Sequence, residues 1–357
     1  MSKCPVCNTA LTTSICPVCG YDRSRDYAQF PTFGPLRGSV SAVSRTASPP
    51  MLCPGCGGAH FLLHRDATFT CASCGKKLEL PQVRALTHTA ISSVYAGKFY
   101  TGAITSGGSA AVVGDNDYGQ CDVGDWKDLK ALALGHTHTV GLKKDGTILS
   151  AGCNDEGQRD LDGWSDITAI AAGWLHTVGL KRDETLVTAG SNHNLQREVG
   201  HWSGVKAVAA GTHHTVALLR DKTVRAVGNN QMGQCNVEAW RGVKAVAAGM
   251  HHTAALHESG LVSIAGYREG GLENAEKWLD ISAIAAGEMH LVGLDGQGCV
   301  FAAGSNEYGQ CNVEHWKDIV AIAAGGNHTV ALDIHGNVLT AGANEYGQGR
   351  TRELYQL

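Results

Sequence analysis

At 357 residues and 43% hydrophobic content, the chain is long enough for more than one domain and apolar enough to bury a core, which excludes an intrinsically disordered protein. Its 46 glycines, set against 6% aromatic and 17% charged residues, exclude long-helix architectures and favour many short strands joined by tight turns. The net charge of −4 is uneven: residues 1–87 hold nine Lys and Arg against four Asp and Glu, and the remainder holds twenty against twenty-nine.

The chain opens MSKCPVCNTA, without a charged start and apolar run of signal-peptide length, and no stretch reaches about 18 uninterrupted apolar residues. A cytoplasmic protein without membrane contact is expected. Eight of the thirteen cysteines form four Cys-x-x-Cys pairs, a spacing that suits a metal in a reducing compartment. Cys4, Cys7, Cys16 and Cys19 can surround one tetrahedral ion, and Cys53, Cys56, Cys71 and Cys74 a second, with FLLHRDATFTC supplying a hairpin. Both quartets resemble zinc ribbons. With all four positions filled by protein, two closed structural Zn2+ sites are expected, which also bring the charge of the front from +5 to about +1 and weaken the case for nucleic acid. The resulting division is ribbon 1 over 1–20, a Ser-, Arg- and Pro-rich linker over 21–50, ribbon 2 over 51–82, and a repeat domain over 88–357.

The repeat domain declares itself by its glycines. Gly97, Gly135, Gly173, Gly211, Gly249, Gly287 and Gly325 stand 38 residues apart, and Gly114, Gly152, Gly190, Gly228, Gly266, Gly304 and Gly342 keep the same step. A well-kept unit, DITAIAAGWLHTVGLKRDETLVTAGSN over 166–192, divides into AIAAG, HTVGLKR and TLVTAG, with a fourth strand-sized piece between the Gly-Gln and the next Trp. This predicts an all-β fold, a seven-bladed β-propeller of four-stranded blades, with the small residues of AIAAG innermost at the central channel. Turns after AAG and after AGxN then share one end, and the KRDE-type turns the other.

These units, with Gly-x-x-His-Thr, a charged turn and Gly-x-Asn-x-x-Gly-Gln, resemble the repeat of the regulator of chromosome condensation family over residues 88–357. The resemblance implies a seven-bladed propeller whose shared act is protein binding. It also brings guanine nucleotide exchange on a small GTPase as an alternative, although the unbroken 38-residue step leaves no room for the protruding insertion through which the eukaryotic exchange factor works. Blade one carries Tyr100 in the His slot, and blade five has Arg268 and Leu272 in place of Asn and Gln.

The repeated His138, His176, His214, His252, His290 and His328 read as strand-end hydrogen-bond partners rather than metal ligands, because a residue needed once per blade serves the blade. The recurrent Asn should bond their own turns, the recurrent Trp should pack between blades, and Cys121, Cys235 and Cys311, sharing one slot, should be buried small hydrophobes. Variable positions carry the functional signal. Between each inner-turn Gly and the His slot lie residues including Phe99, Trp174, Leu175, His213, Met250, His251 and Met289, and Tyr118, Tyr308 and Tyr346 extend this ring outward. Aromatic and Met side chains gathered on a rigid face are what protein interfaces favour. No nucleophile elbow, phosphate loop or paired-carboxylate pattern stands in the context its chemistry needs, so a non-enzymatic interaction module is expected. Exchange activity and nucleic-acid binding by the ribbons are the alternatives.

Overall fold

In the computed structural model, residues 61–63, 68–71, 77–79 and 91–355 are described, and the chain divides into two units, Met1–His88 and Thr89–Leu357. The first unit contains β1 (Phe61–Leu63), β2 (Thr68–Cys71) and β3 (Lys77–Glu79), an antiparallel meander in which Phe61 faces Cys71 and Thr68 faces Glu79. The hairpin expected from FLLHRDATFTC is therefore present, with a third strand added. The cysteine side chains of both predicted zinc sites, and the linker over 21–50, lie outside the described residues.

The second unit is a ring of seven antiparallel sheets, here called blades 1 to 7, over residues 91–114, 129–152, 167–190, 205–228, 243–266, 281–304 and 319–342. Each has an inner, a middle and an outer strand. The prediction of four-stranded blades is corrected: among the described residues every blade has three strands. The segment between Gly-Gln and Trp spends its polar groups on its own turn instead of on a ladder. In blade 2, Asn154 Oδ1 accepts from Arg159 N at 2.7 Å, Asn154 Nδ2 donates to Asp160 at 2.9 Å, and Trp164 N donates to Leu161 O. A backbone whose donors close such local turns has none left to extend a sheet.

The middle strands, such as His176–Lys181, are buried on both faces because each blade is stacked between two others. Apolar clusters fill the gaps: Val178, Leu180 and Leu186 of blade 3 meet Trp202, Val205 and Leu219 on the blade 4 side. Ring closure uses the same chemistry, with Ile91 and Val94 of blade 1 packed on Val330, Leu332 and Val338 of blade 7, and with the buried Leu354 of a 3-10 turn over Thr351–Tyr355. The tryptophans pack between blades as expected. Trp126 and Trp164 lie so close to Gly141 and Gly179 that a Cβ there would sit 2.7 Å from the indole.

The repeated histidines bind blade to blade. His138 Nε2 meets Thr177 Oγ1 of the next blade at 3.0 Å, His176 meets Thr215 at 3.1 Å, His214 meets Thr253 at 2.9 Å, His290 meets Thr329 at 3.0 Å, and His328 closes the ring on Thr101 at 2.9 Å. Thr177, Thr215, Thr253 and Thr329 each donate their hydroxyl proton to the backbone carbonyl of a Gln at 2.7 Å, so they accept from an Nε2–H of the imidazole. In blade 1 the substitute Tyr100 donates instead to His138 O at 2.6 Å. Of the cysteines sharing one slot, only Cys235 is buried; Cys121 and Cys311 are half-buried, and all three thiols donate to turn carbonyls.

Candidate interaction face at one end of the channel

The inner strands end in Ala96, Leu134, Ala172, Ala210, Ala248, Ala286 and Ala324, which with the following glycines line a central cavity of about 130 Å3. AIAAG is thus innermost, and small side chains let seven strands converge there. The turns after AAG and the loops after AGxN share this end. Each loop begins with an amide that donates to a turn carbonyl, as Asp115 N does to Phe99 O and Ser305 N does to Met289 O.

At the mouth, rings form a continuous arc, half-buried except for the exposed Tyr346 at its end. Tyr346 and Phe99 are 4.6 Å apart between centroids, Phe99 and His136 5.8 Å, His136 and Trp174 5.2 Å, and Trp174 and His213 4.9 Å. Burial, aided by Lys98, lowers the pKa of His136 to about 4, and burial also lowers that of His213, so both are neutral rings at pH 7. Leu175, Met250, His251 and Met289 are likewise half-buried at this mouth. The predicted ring is therefore an arc of residues partly packed on one another, and its outer members are the exposed ones: Tyr118 is 55% exposed, Met232 52%, and Tyr308 and Tyr346 47% each.

These outer side chains are held on rigid tips. A buried Gln beneath each accepts from the tip amide: Gln120 from Tyr118 at 2.9 Å, Gln234 from Met232 at 3.0 Å, Gln310 from Tyr308 at 3.0 Å and Gln348 from Tyr346 at 3.0 Å. Leu195, 60% exposed, belongs beside them and escaped sequence reasoning. It takes φ +63° where the matching Gly119, Gly233, Gly309 and Gly347 have +77° to +85°, a left-handed conformation that costs a Leu about 1–2 kcal/mol. Its signal was available as the one Gly-Gln slot in which the Gly is replaced, Leu195-Gln196. Lys98 and Glu288 belong to the same ring of variable positions, and the structure pairs them: Lys98 Nζ lies 3.1 Å from Glu288 and 5.1 Å from the centroids of both Phe99 and Trp174.

Among the described residues, no group of three or more His, Cys, Asp or Glu could hold a metal ion, and no helix is long and apolar enough to cross a membrane.

The description regulator of chromosome condensation (RCC1) repeat matches residues 129–158, 167–196, 205–234, 281–310 and 319–348. The two unmatched blades are those with Tyr100 and with Arg268 and Leu272. No curated protein matches the chain. Among solved structures, it is similar to Prp20p from Saccharomyces cerevisiae, described with its binding properties to Gsp1p and histones, at 18% identity and TM-score 0.56 over 74% of this chain and 86% of that one. It is also similar to the CRINKLY WD40 ectodomain of the Arabidopsis thaliana receptor kinase ACR4, at 15% identity and TM-score 0.57 over 71% and 97%. Human WBSCR16 matches at 18% identity and TM-score 0.56 over 72% and 88%. Five of the seven blades of the second unit thus match the regulator of chromosome condensation (RCC1) repeat, and the unit has a propeller fold similar to that of Prp20p.

Proposed function

We propose that the chain is a protein-interaction module that binds its partner through the channel-mouth end of the propeller, and is not an enzyme. One observation carries the reading: Tyr118, Met232, Tyr308, Tyr346 and Leu195 are large, exposed, and fixed on loop tips around the half-buried Phe99–Trp174 arc. Exposed aromatic and Met side chains on a pre-ordered surface bind with little loss of conformational entropy. Binding of Prp20p to Gsp1p and histones supports the protein-binding reading for a propeller of this type and keeps a small GTPase among the candidate partners.

The expected result is that Trp174→Ala combined with Met250→Ala abolishes capture of a partner from native lysate, while the far-UV spectrum and melting temperature stay near the parent's. Unchanged capture would move function away from this face.

The ribbons are proposed to be structural zinc sites formed by Cys4, Cys7, Cys16 and Cys19 and by Cys53, Cys56, Cys71 and Cys74. Elemental analysis should find two zinc ions per chain and one after Cys53→Ser with Cys56→Ser; a purified chain holding no zinc would refute this.

A further inference from the structure

We propose that the channel mouth is a receptor for a lysine or arginine side chain of a basic protein segment, and that Lys98 is a built-in stand-in for that cation. The inference rests on the interaction-face reading above and names the chemistry of its partner.

Lys98 leaves blade 1 and reaches across the mouth to Glu288 of blade 6, at 3.1 Å, and toward Trp174 of blade 3. Its ammonium sits 5.1 Å from the ring centroids of Phe99 and of Trp174. Two aromatic faces and one carboxylate around an ammonium make a cation site, since the negative faces of the rings add to the charge of Glu288. Blade 7 makes room for it: a Cβ on Gly326 would lie 3.1 Å from Lys98 Cγ and 2.6 Å from Lys98 O. The side chains of Lys98 and Glu288 each keep 23% of their exposure, so the site opens to solvent and the occupant can exchange.

The surroundings select for positive charge. The loop tips around the mouth carry Asp117, Asp155, Glu156, Glu269, Glu307 and Glu345, all exposed. The two cationic or titratable tips are already engaged, His193 with Glu156 at 3.3 Å and Arg268 with Glu276 at 2.9 Å. A basic segment therefore meets an acidic rim with tyrosines interleaved, and at its centre an aromatic pocket dimensioned for one ammonium or guanidinium. An incoming cation would replace the contacts that Lys98 loses, and Lys98 would move into solvent, so occupancy is set by competition between the two.

A fluorescein-labelled nona-lysine peptide, with nona-glutamate as the charge control, tests this by anisotropy at physiological ionic strength. Lys98→Ala in the full chain is expected to tighten nona-lysine binding about tenfold, and Lys98→Ala with Trp174→Ala, or with Glu288→Gln, is expected to reverse the gain. If the gain survives Trp174→Ala, it reflects net charge alone and the receptor site is refuted. Equal binding by parent and Lys98→Ala refutes it as well. The lysate capture result separates the two readings, because it reads the whole face with Lys98 in place: loss of capture with no peptide effect would leave the interaction face standing and this inference overturned.

Discussion

Acidification is expected to unfold the propeller cooperatively between about pH 6 and pH 4, a window that opens above the range in which ordinary carboxylates titrate. The cause is the histidine belt. Burial lowers the pKa of His138, His176, His214 and His290 to about 3 and that of His252 and His328 to about 4. In the unfolded chain the same side chains titrate near about 6.5. A base whose folded pKa is depressed binds fewer protons in the native state, so its contribution is fully present above the unfolded pKa and is lost as pH falls below it. At pH 5, about 1.5 units below the unfolded value, each such histidine costs about 2 kcal/mol of stability. Six together amount to on the order of 10 kcal/mol, comparable with the whole stability of an ordinary domain. Carboxylates with depressed pKa, such as Asp145, Asp183 and Asp221, act in the same direction as pH falls, but they are fully exposed and held mainly within their own turns, so their share is small. A far-UV circular dichroism titration checks the prediction. A chain that stays folded to pH 3 would mean that the rings can be protonated in place.

His252 departs from the belt in a way that shows what the sequence could and could not reveal. The slot that should hold its Thr partner in blade 6 is Leu291, and the Gln slot before it is Leu272; the two pack together with Ile281 in one apolar cluster. Among the described residues, both ring nitrogens of His252 lack a hydrogen-bond partner. The loss of Gln at 272 was visible as wear in blade five, and it is half of a coupled change in which a polar contact between blades became an apolar one. Seven blades, their inner strand and the common end of two loop families were all legible, because a 38-residue glycine step leaves few folds to choose from. The fourth strand was misread because Asn154 and Gln158 bond within their own turn, a local choice that composition does not distinguish from an edge strand. The Lys98–Glu288 pair was invisible for another reason: its members lie 190 residues apart in the chain and meet only across the closed ring.

The glycine that opens each Gly-x-x-His unit should be among the costliest positions to change, although its backbone needs no glycine. Gly211 is not among the residues with positive φ, so Ala at 211 meets no backbone penalty. Its Cβ, however, would lie 2.3 Å from His214 Cε1 and 2.4 Å from Gly249 O of the next blade. His214 cannot yield, being fully buried and tied to Thr253 at 2.9 Å, and moving Gly249 means separating two blades of a closed ring. Gly211→Ala is therefore expected to destabilise by about 3 kcal/mol or more in denaturant unfolding. Gly124→Ala, where a Cβ meets nothing within 4 Å, should stay within about 0.5 kcal/mol of the parent. Adding His214→Ala to Gly211→Ala should cost less than the sum of the two single changes, because the Cβ then occupies space the ring has left. Simple additivity would show that the glycine and the histidine recur for separate reasons. Sub-additivity would show that they recur as one device, a reading that blade 1 already favours: with Tyr100 in the His slot, Gly97 is kept, and a Cβ there would lie 2.6 Å from the tyrosine ring.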